Sequence, residues 1–198
     1  TMNVPCRTKR FMLTVPDGVN SKYGTDTYKD NGFFQVEPQY DPESIFDGWY
    51  LLRSEIKSDK DAAGGDVLKN RNRIQLQAVS FGTDRAQNGA FVTPPIQCDG
   101  TKTVTVSFTA ATNKLTGSVQ YRIGVTNNGA DISENFLRSF DNIQSSLEGE
   151  CPWKHSGSVS QTHTFTVTNG QRIMMKVYSS GGGTPCHLEL ADFTYTVE

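Results

Sequence analysis

The sequence predicts an all-β fold, an antiparallel two-sheet β-sandwich with one inserted amphipathic helix. Three observations carry this. Several short runs alternate strictly between apolar and polar residues, the period-2 pattern of half-buried strands. Segments rich in Gly, Pro, Asn and Asp break these runs at the short spacing of a sandwich or barrel. The composition also suits a thin core. Of 198 residues only 35% are hydrophobic, but 11 Phe, 7 Tyr and 2 Trp are present. Each buried aromatic removes roughly 150–250 Å² from water, so a few can replace many aliphatic residues.

In chain order, short strand signals stand at 11–15, 33–36, 49–56, 73–78 and 89–93. In 49–56, Trp49 is expected in the core and Tyr50 on the opposite face. The run 103–109 puts Val104, Val106 and Phe108 on one face, and 118–125 does the same with Val119, Tyr121, Ile123 and Val125. The runs 162–167 and 172–178 flank Thr168-Asn169-Gly170 and are expected to form a hairpin, because Asn and Gly accept positive φ. His163 is expected to point outward. In the last run, 187–197, the alternation slips phase between Leu190 and Phe193, which predicts a bulge near Ala191-Asp192.

One segment has a different period. Ile132, Phe136, Phe140, Ile143 and Leu147 follow at steps of 4, 4, 3 and 4. This predicts an amphipathic helix over 132–147, opened by a capping box from Asp131 to Glu134 and packed on the sandwich edge.

The formal net charge is −2. The one basic cluster, Arg7 with Lys9 and Arg10, reads as a solvated strand end, so no nucleic-acid partner is expected. No run approaches the roughly 20 apolar residues of a membrane span. Met2 in second place reads as an internal fragment of a longer protein, and 16–31 as a long loop or linker, so residues 1–30 are an N-terminal extension or edge strand. Cys6, Cys98, Cys151 and Cys186 lie 92, 53 and 35 residues apart, which matches no zinc spacing. Both two disulfides and four buried thiols fit an even count; the bridge expected, if any, is Cys151–Cys186.

No nucleophile, metal-protease or phosphate-loop signature is present. Gly181-Gly182-Gly183-Thr184 lacks the P-loop Lys, and His155, His163 and His187 stand in no catalytic pattern. The carboxylates Glu43, Glu55, Glu148 and Glu150 are available for glycoside hydrolysis, but no local pattern selects them.

From Asn31 onward the layout becomes familiar. Asn31-Gly32-Phe33-Phe34 precedes Asp47-Gly48-Trp49; Arg73-Ile74-Gln75-Leu76 precedes Gly89-Ala90-Phe91-Val92-Thr93-Pro94-Pro95-Ile96; and Leu188-Glu189-Leu190-Ala191-Asp192-Phe193 closes the chain. This series resembles the jelly-roll carbohydrate-binding domains, galactose-binding-like β-sandwiches, of bacterial surface and secreted lipoproteins. The resemblance covers residues 31–198. Gln35 stands where the opening acidic residue is often found, and Ala191 replaces one closing Asp.

The resemblance implies a jelly roll in a secreted or surface-anchored, lipid-anchored protein, present as a monomeric domain of a larger chain. It also implies a structural calcium between first and last strands, with Asn31, Glu37 and Asp192 as ligands and Asp30 beside them, since calcium takes about six to eight oxygens. The expected partner is a polysaccharide or glycoprotein glycan. Its contacts are assigned to Trp153, Tyr50, Asn127 and Asn128, because a pyranose stacks its apolar face on an aromatic ring while amides bond its hydroxyls. Trp153 can equally plug the sandwich end. A non-catalytic binding module is the preferred reading. The alternatives are an assembly domain that contacts a partner through the 132–147 segment, and a jelly-roll hydrolase or lyase.

Overall fold

A computed structural model describes residues 33–35, 48–57, 73–78, 85–112, 118–151, 159–179 and 186–198. Eleven strands run through them: β1 (Phe33–Gln35), β2 (Tyr50–Leu52), β3 (Ser54–Lys57), β4 (Arg73–Ala78), β5 (Ala90–Val92), β6 (Lys102–Thr112), β7 (Val119–Val125), β8 (Gln144–Cys151), β9 (Val159–Val167), β10 (Ile173–Ser179) and β11 (Cys186–Val197). One short helix, α1 (Glu134–Arg138), and two 3₁₀ turns, Arg85–Gln87 and Phe140–Asn142, complete the list. The strands form a six-stranded sheet, β1-β2-β5-β10-β7-β8, and a five-stranded sheet, β3-β4-β11-β6-β9. Every pairing is antiparallel. The predicted β-sandwich is therefore the observed fold.

Alternation fills the space between the sheets. Val104, Val106 and Phe108 of β6 face Val119, Tyr121, Ile123 and Val125 of β7, all in one buried cluster. Aromatic rings link the layers. Trp49 stacks on Phe91 at 5.2 Å and meets Phe193 edge-on at 5.5 Å; Phe193 stacks on Phe108 at 5.9 Å. Gly48 makes the entry possible. Its φ of +80° suits glycine and turns the chain so that fully buried Trp49 enters the core while Tyr50 faces away.

Four expectations are corrected. The single run 49–56 is two strands in two sheets. Arg53, at φ +45°, breaks it, and buried Ser54 donates its hydroxyl to Leu52 O at 2.8 Å. The 162–167 and 172–178 runs form no hairpin. β9 pairs with β6, whereas β10 pairs with β5 and β7. Asn-Gly makes a tight turn, but this turn carries the chain from one sheet to the other. Gln171 holds it, accepting from Thr168 N at 2.8 Å and donating to Thr126 O at 2.9 Å.

The helix predicted over 132–147 is the third correction. α1 has five residues and ends at Arg138, and 144–151 is the strand β8. Its N-cap is Ser133, not Asp131; the Ser133 hydroxyl accepts from Phe136 N at 3.1 Å. Apolar residues recur at that spacing because 136–143 lies over one sheet face, not because the segment stays helical; from 144 the chain is a strand of the sheet itself. Leu137 and Ile143 are buried there. Leu147 is the one exposed large hydrophobic residue recorded among the described residues.

Fourth, Cys151 and Cys186 are buried thiols, as is Cys98, so the expected bridge is not formed. Burial pushes the Cys151 thiol up to about 12. The bulge near Ala191-Asp192 is found as expected: the β11–β6 register shifts between Ala191 and Thr194, and Asp192 has φ +53°. The strand expected at 11–15, the extension 1–30 and Cys6 lie outside the described residues.

Candidate functional site

The six-stranded sheet has apolar packing on both faces, on the outer one over part of its width. The inner one faces the sandwich core. The outer face carries a second cluster in which Leu52, Ala90, Val92 and Met174 of the sheet meet Leu137 and Ile143 of the α1 segment. That segment is built to lie flat. Ser133 caps its start, Glu134 and Arg138 pair across one turn at 2.8 Å, and Asn142 Nδ2 donates to Phe136 O at 2.8 Å. Ser139 Oγ then accepts from Asp141 N and starts the 3₁₀ turn that sets Phe140 over the sheet.

Phe140 meets Tyr178 of β10 edge-on at 5.4 Å. The Arg122 guanidinium, on β7, lies 4.2 Å from the Tyr178 ring centroid and 5.5 Å from that of Phe140. Cations are attracted to the electron-rich faces of such rings. Arg122 Nε and Nη2 both reach Glu148 Oε1 of β8 at 3.2 Å. Sheet order explains the meeting: Arg122 stands opposite Lys176 on one side and Glu148 on the other. Lys176 is wholly buried. Its Nζ donates to Asn88 O at 2.7 Å and Ala86 O at 3.3 Å, and lies 5.3 Å from the Phe140 ring. Burial first, then the charges of Arg138 and Arg53, push its amine down to about 7.

A second aromatic group lies on the β1–β2 side. Tyr50 stacks on Phe33 at 5.7 Å, and the Arg172 guanidinium lies 5.6 Å from the Tyr50 ring. Arg172 also donates to Thr93 O at 3.1 Å, and burial lowers its pKa.

Of the residues assigned from sequence, Tyr50 is half-buried on the outer face. Asn127 and Asn128 are exposed in the turn after β7, where Asn128 Oδ1 accepts from Thr168 Oγ1 at 3.4 Å. Arg172 links them to Tyr50, since its backbone N donates to Thr126 Oγ1 at 3.1 Å. Trp153 lies outside the described residues, as do Asp30, Asn31 and Glu37; Asp192 is exposed on the β11 bulge. Among the described residues no three His, Cys, Asp or Glu side chains converge on a metal position.

Arg122, Phe140, Tyr178 and Glu148 were not singled out as a site by sequence. Arg122 and Tyr178 do occupy the outward phase of their strands. Their proximity depends on β10 lying beside β7, which no local pattern states. His163 also departs from expectation: it faces inward from β9, its Nε2 hydrogen-bonded to the Tyr121 hydroxyl at 2.7 Å.

No family model matches this chain, and no curated protein matches it. Solved structures similar to it include carbohydrate-binding modules and adhesin domains. One is a CBM4 module, with TM-score 0.44 and 15% identity, covering 64% of this chain and 84% of that one. Another is the K1 cleaved adhesin domain of Lys-gingipain from Porphyromonas gingivalis W83, with TM-score 0.45 and 11% identity, covering 76% and 82%. A third is the CBM22-1 xylan-binding domain of Paenibacillus barcinonensis Xyn10C, with TM-score 0.42 and 9% identity, covering 73% and 80%. Among the described residues no helix is long and apolar enough to cross a membrane.

Proposed function

We propose that this chain is a non-catalytic carbohydrate-binding domain of a secreted or surface-anchored protein, and that it contacts a polysaccharide or glycoprotein glycan on the outer face of its six-stranded sheet. One observation supports this above others. Half-buried Tyr178 and Phe140 share that face with Arg122 and an exposed Glu148. Rings flanked by charged hydrogen-bonding groups match a pyranose, which has apolar C–H faces and an equator of hydroxyls. Tyr50 with Arg172, and Asn127 with Asn128, extend the contact to the β2 and β7 ends.

The assembly alternative draws no support from α1, whose buried Leu137 is turned toward the sheet. Calcium remains part of the proposal through Asp192, with Asn31 and Glu37.

A thermal-shift screen with plant and host oligosaccharides, with calcium and again with chelator, tests the reading. A ligand of the native state at 100 times its Kd adds about 2.7 kcal/mol of stability. A shift with one glycan class that is lost in Tyr178→Ala supports it. A shift with none, repeated by calorimetry at millimolar ligand, removes it. A chelator-sensitive melting temperature supports the ion.

A further inference from the structure

The Arg122 ion pair is lopsided. The guanidinium is the sunken partner, with its side chain 29% exposed, while the Glu148 side chain is 68% exposed. Two donors of Arg122 converge on a single carboxylate oxygen, so its planar fork is not matched oxygen for oxygen. A pair with one partner this exposed adds little to stability and is screened by salt. The guanidinium also rests against two rings, 4.2 Å from the Tyr178 centroid and 5.5 Å from that of Phe140. Lys176 approaches the same Phe140 ring, and Arg138 is near enough to act on Lys176. Among the described residues Glu148 pairs with Arg122 and Glu134 with Arg138.

We infer that this face takes an acidic sugar, a uronate-bearing glycan, whose carboxylate replaces Glu148 on the Arg122 guanidinium while its ring lies against Phe140 and Tyr178. This rests on the carbohydrate-binding reading and names the chemistry of that site. A carboxylate offers two oxygens in the plane that a guanidinium fork prefers, and Lys cannot reproduce that geometry. A fork already resting against two rings loses little freedom on binding.

The test is calorimetric titration with oligogalacturonate and with its carboxyl-reduced counterpart, a neutral oligosaccharide of the same linkage. The acidic form is expected to bind at least about tenfold tighter and to weaken as salt rises from about 50 to about 500 mM. Arg122→Gln is expected to abolish that preference and Arg122→Lys to restore only part of it. Glu148→Gln is expected to tighten the acidic ligand and leave the neutral one unchanged. Melting temperatures of all three variants separate binding loss from unfolding. Equal binding of both oligosaccharides, indifferent to Arg122, overturns the acidic assignment and leaves the binding domain standing. Binding of neither, when no other glycan of the screen binds, overturns both.

Discussion

Tyr121 on β7 and His163 on β9 join the two sheets through a 2.7 Å hydrogen bond, with the rings edge-to-face at 5.6 Å. Burial lowers the His163 pKa below its usual 6.5. For Tyr121, burial first and Cys151 second raise it well above the tyrosine norm. Both groups are thus held neutral where the sheets meet.

Tyr121→Phe removes the hydroxyl but keeps the ring. A typical buried hydrogen bond contributes about 0.5–1.5 kcal/mol, and that loss is expected in urea denaturation. An unchanged midpoint would show that water satisfies His163 equally well.

Gly149 on β8 lies directly opposite Tyr121. A Cβ there would run into the Cζ and hydroxyl of Tyr121. Forcing a methyl group into a packed core costs about 1–3 kcal/mol. Gly149→Ala is expected to fall in or above that range, and Tyr121→Ala in the same chain to relieve part of it. Additive losses in the double-mutant cycle would sever the link.

Lys176 makes stability depend on pH, and the sign can be worked out. Its folded pKa, about 7, lies below the 10.5 of the unfolded chain. Between these values the unfolded state binds the extra proton, so stability rises with pH from 7 to 10.5 and is lowest below 7. His163 acts in the same direction below 6.5. Cys151, raised by burial, opposes the trend from pH 9, and Tyr121 and Tyr195, raised in the same way, reverse it above 10. A maximum is expected near pH 9–10 in denaturation curves. Each unit of displacement is about 1.4 kcal/mol, so the fall toward pH 6 amounts to a few kcal/mol. Lys176→Met is expected to flatten it; an unaltered profile would assign the slope to other groups.

Leu137 is the buried anchor of α1. Leu137→Ala is expected to cost about 2–5 kcal/mol if α1 stays docked. If α1 instead detaches, hydrogen exchange at 134–143 quickens while β6, β7 and β11 keep their protection. Either result separates the outer cluster from the main core.

The strands were legible where alternation was strict. Residues 73–78 and 119–125 occur as strands, and the phase slip at Asp192 marked a real bulge. Period 2 reports one face in and one out, and an extra residue must break it. The helix at 132–147 misled for a related reason. Phe136, Leu137, Phe140 and Ile143 all pack on one surface, and a short helix followed by a 3₁₀ turn delivers apolar residues to that surface as regularly as one long helix does.

A β-sandwich with an aromatic core, the opposite facing of Trp49 and Tyr50, and the bulge in β11 could all be read from the residues in order. These follow from side-chain periodicity and from burying large rings, which are local or compositional matters. Which strands are neighbours was set by the packed fold. It split 49–56 between the sheets, opened the expected hairpin at Asn169-Gly170 into a crossing, and set β10 beside β7. Ladder hydrogen bonds are alike along every strand and carry no address. Partners are chosen by how all the strands together bury two faces of one sheet, and only that choice brought Arg122, Lys176 and Tyr178 together.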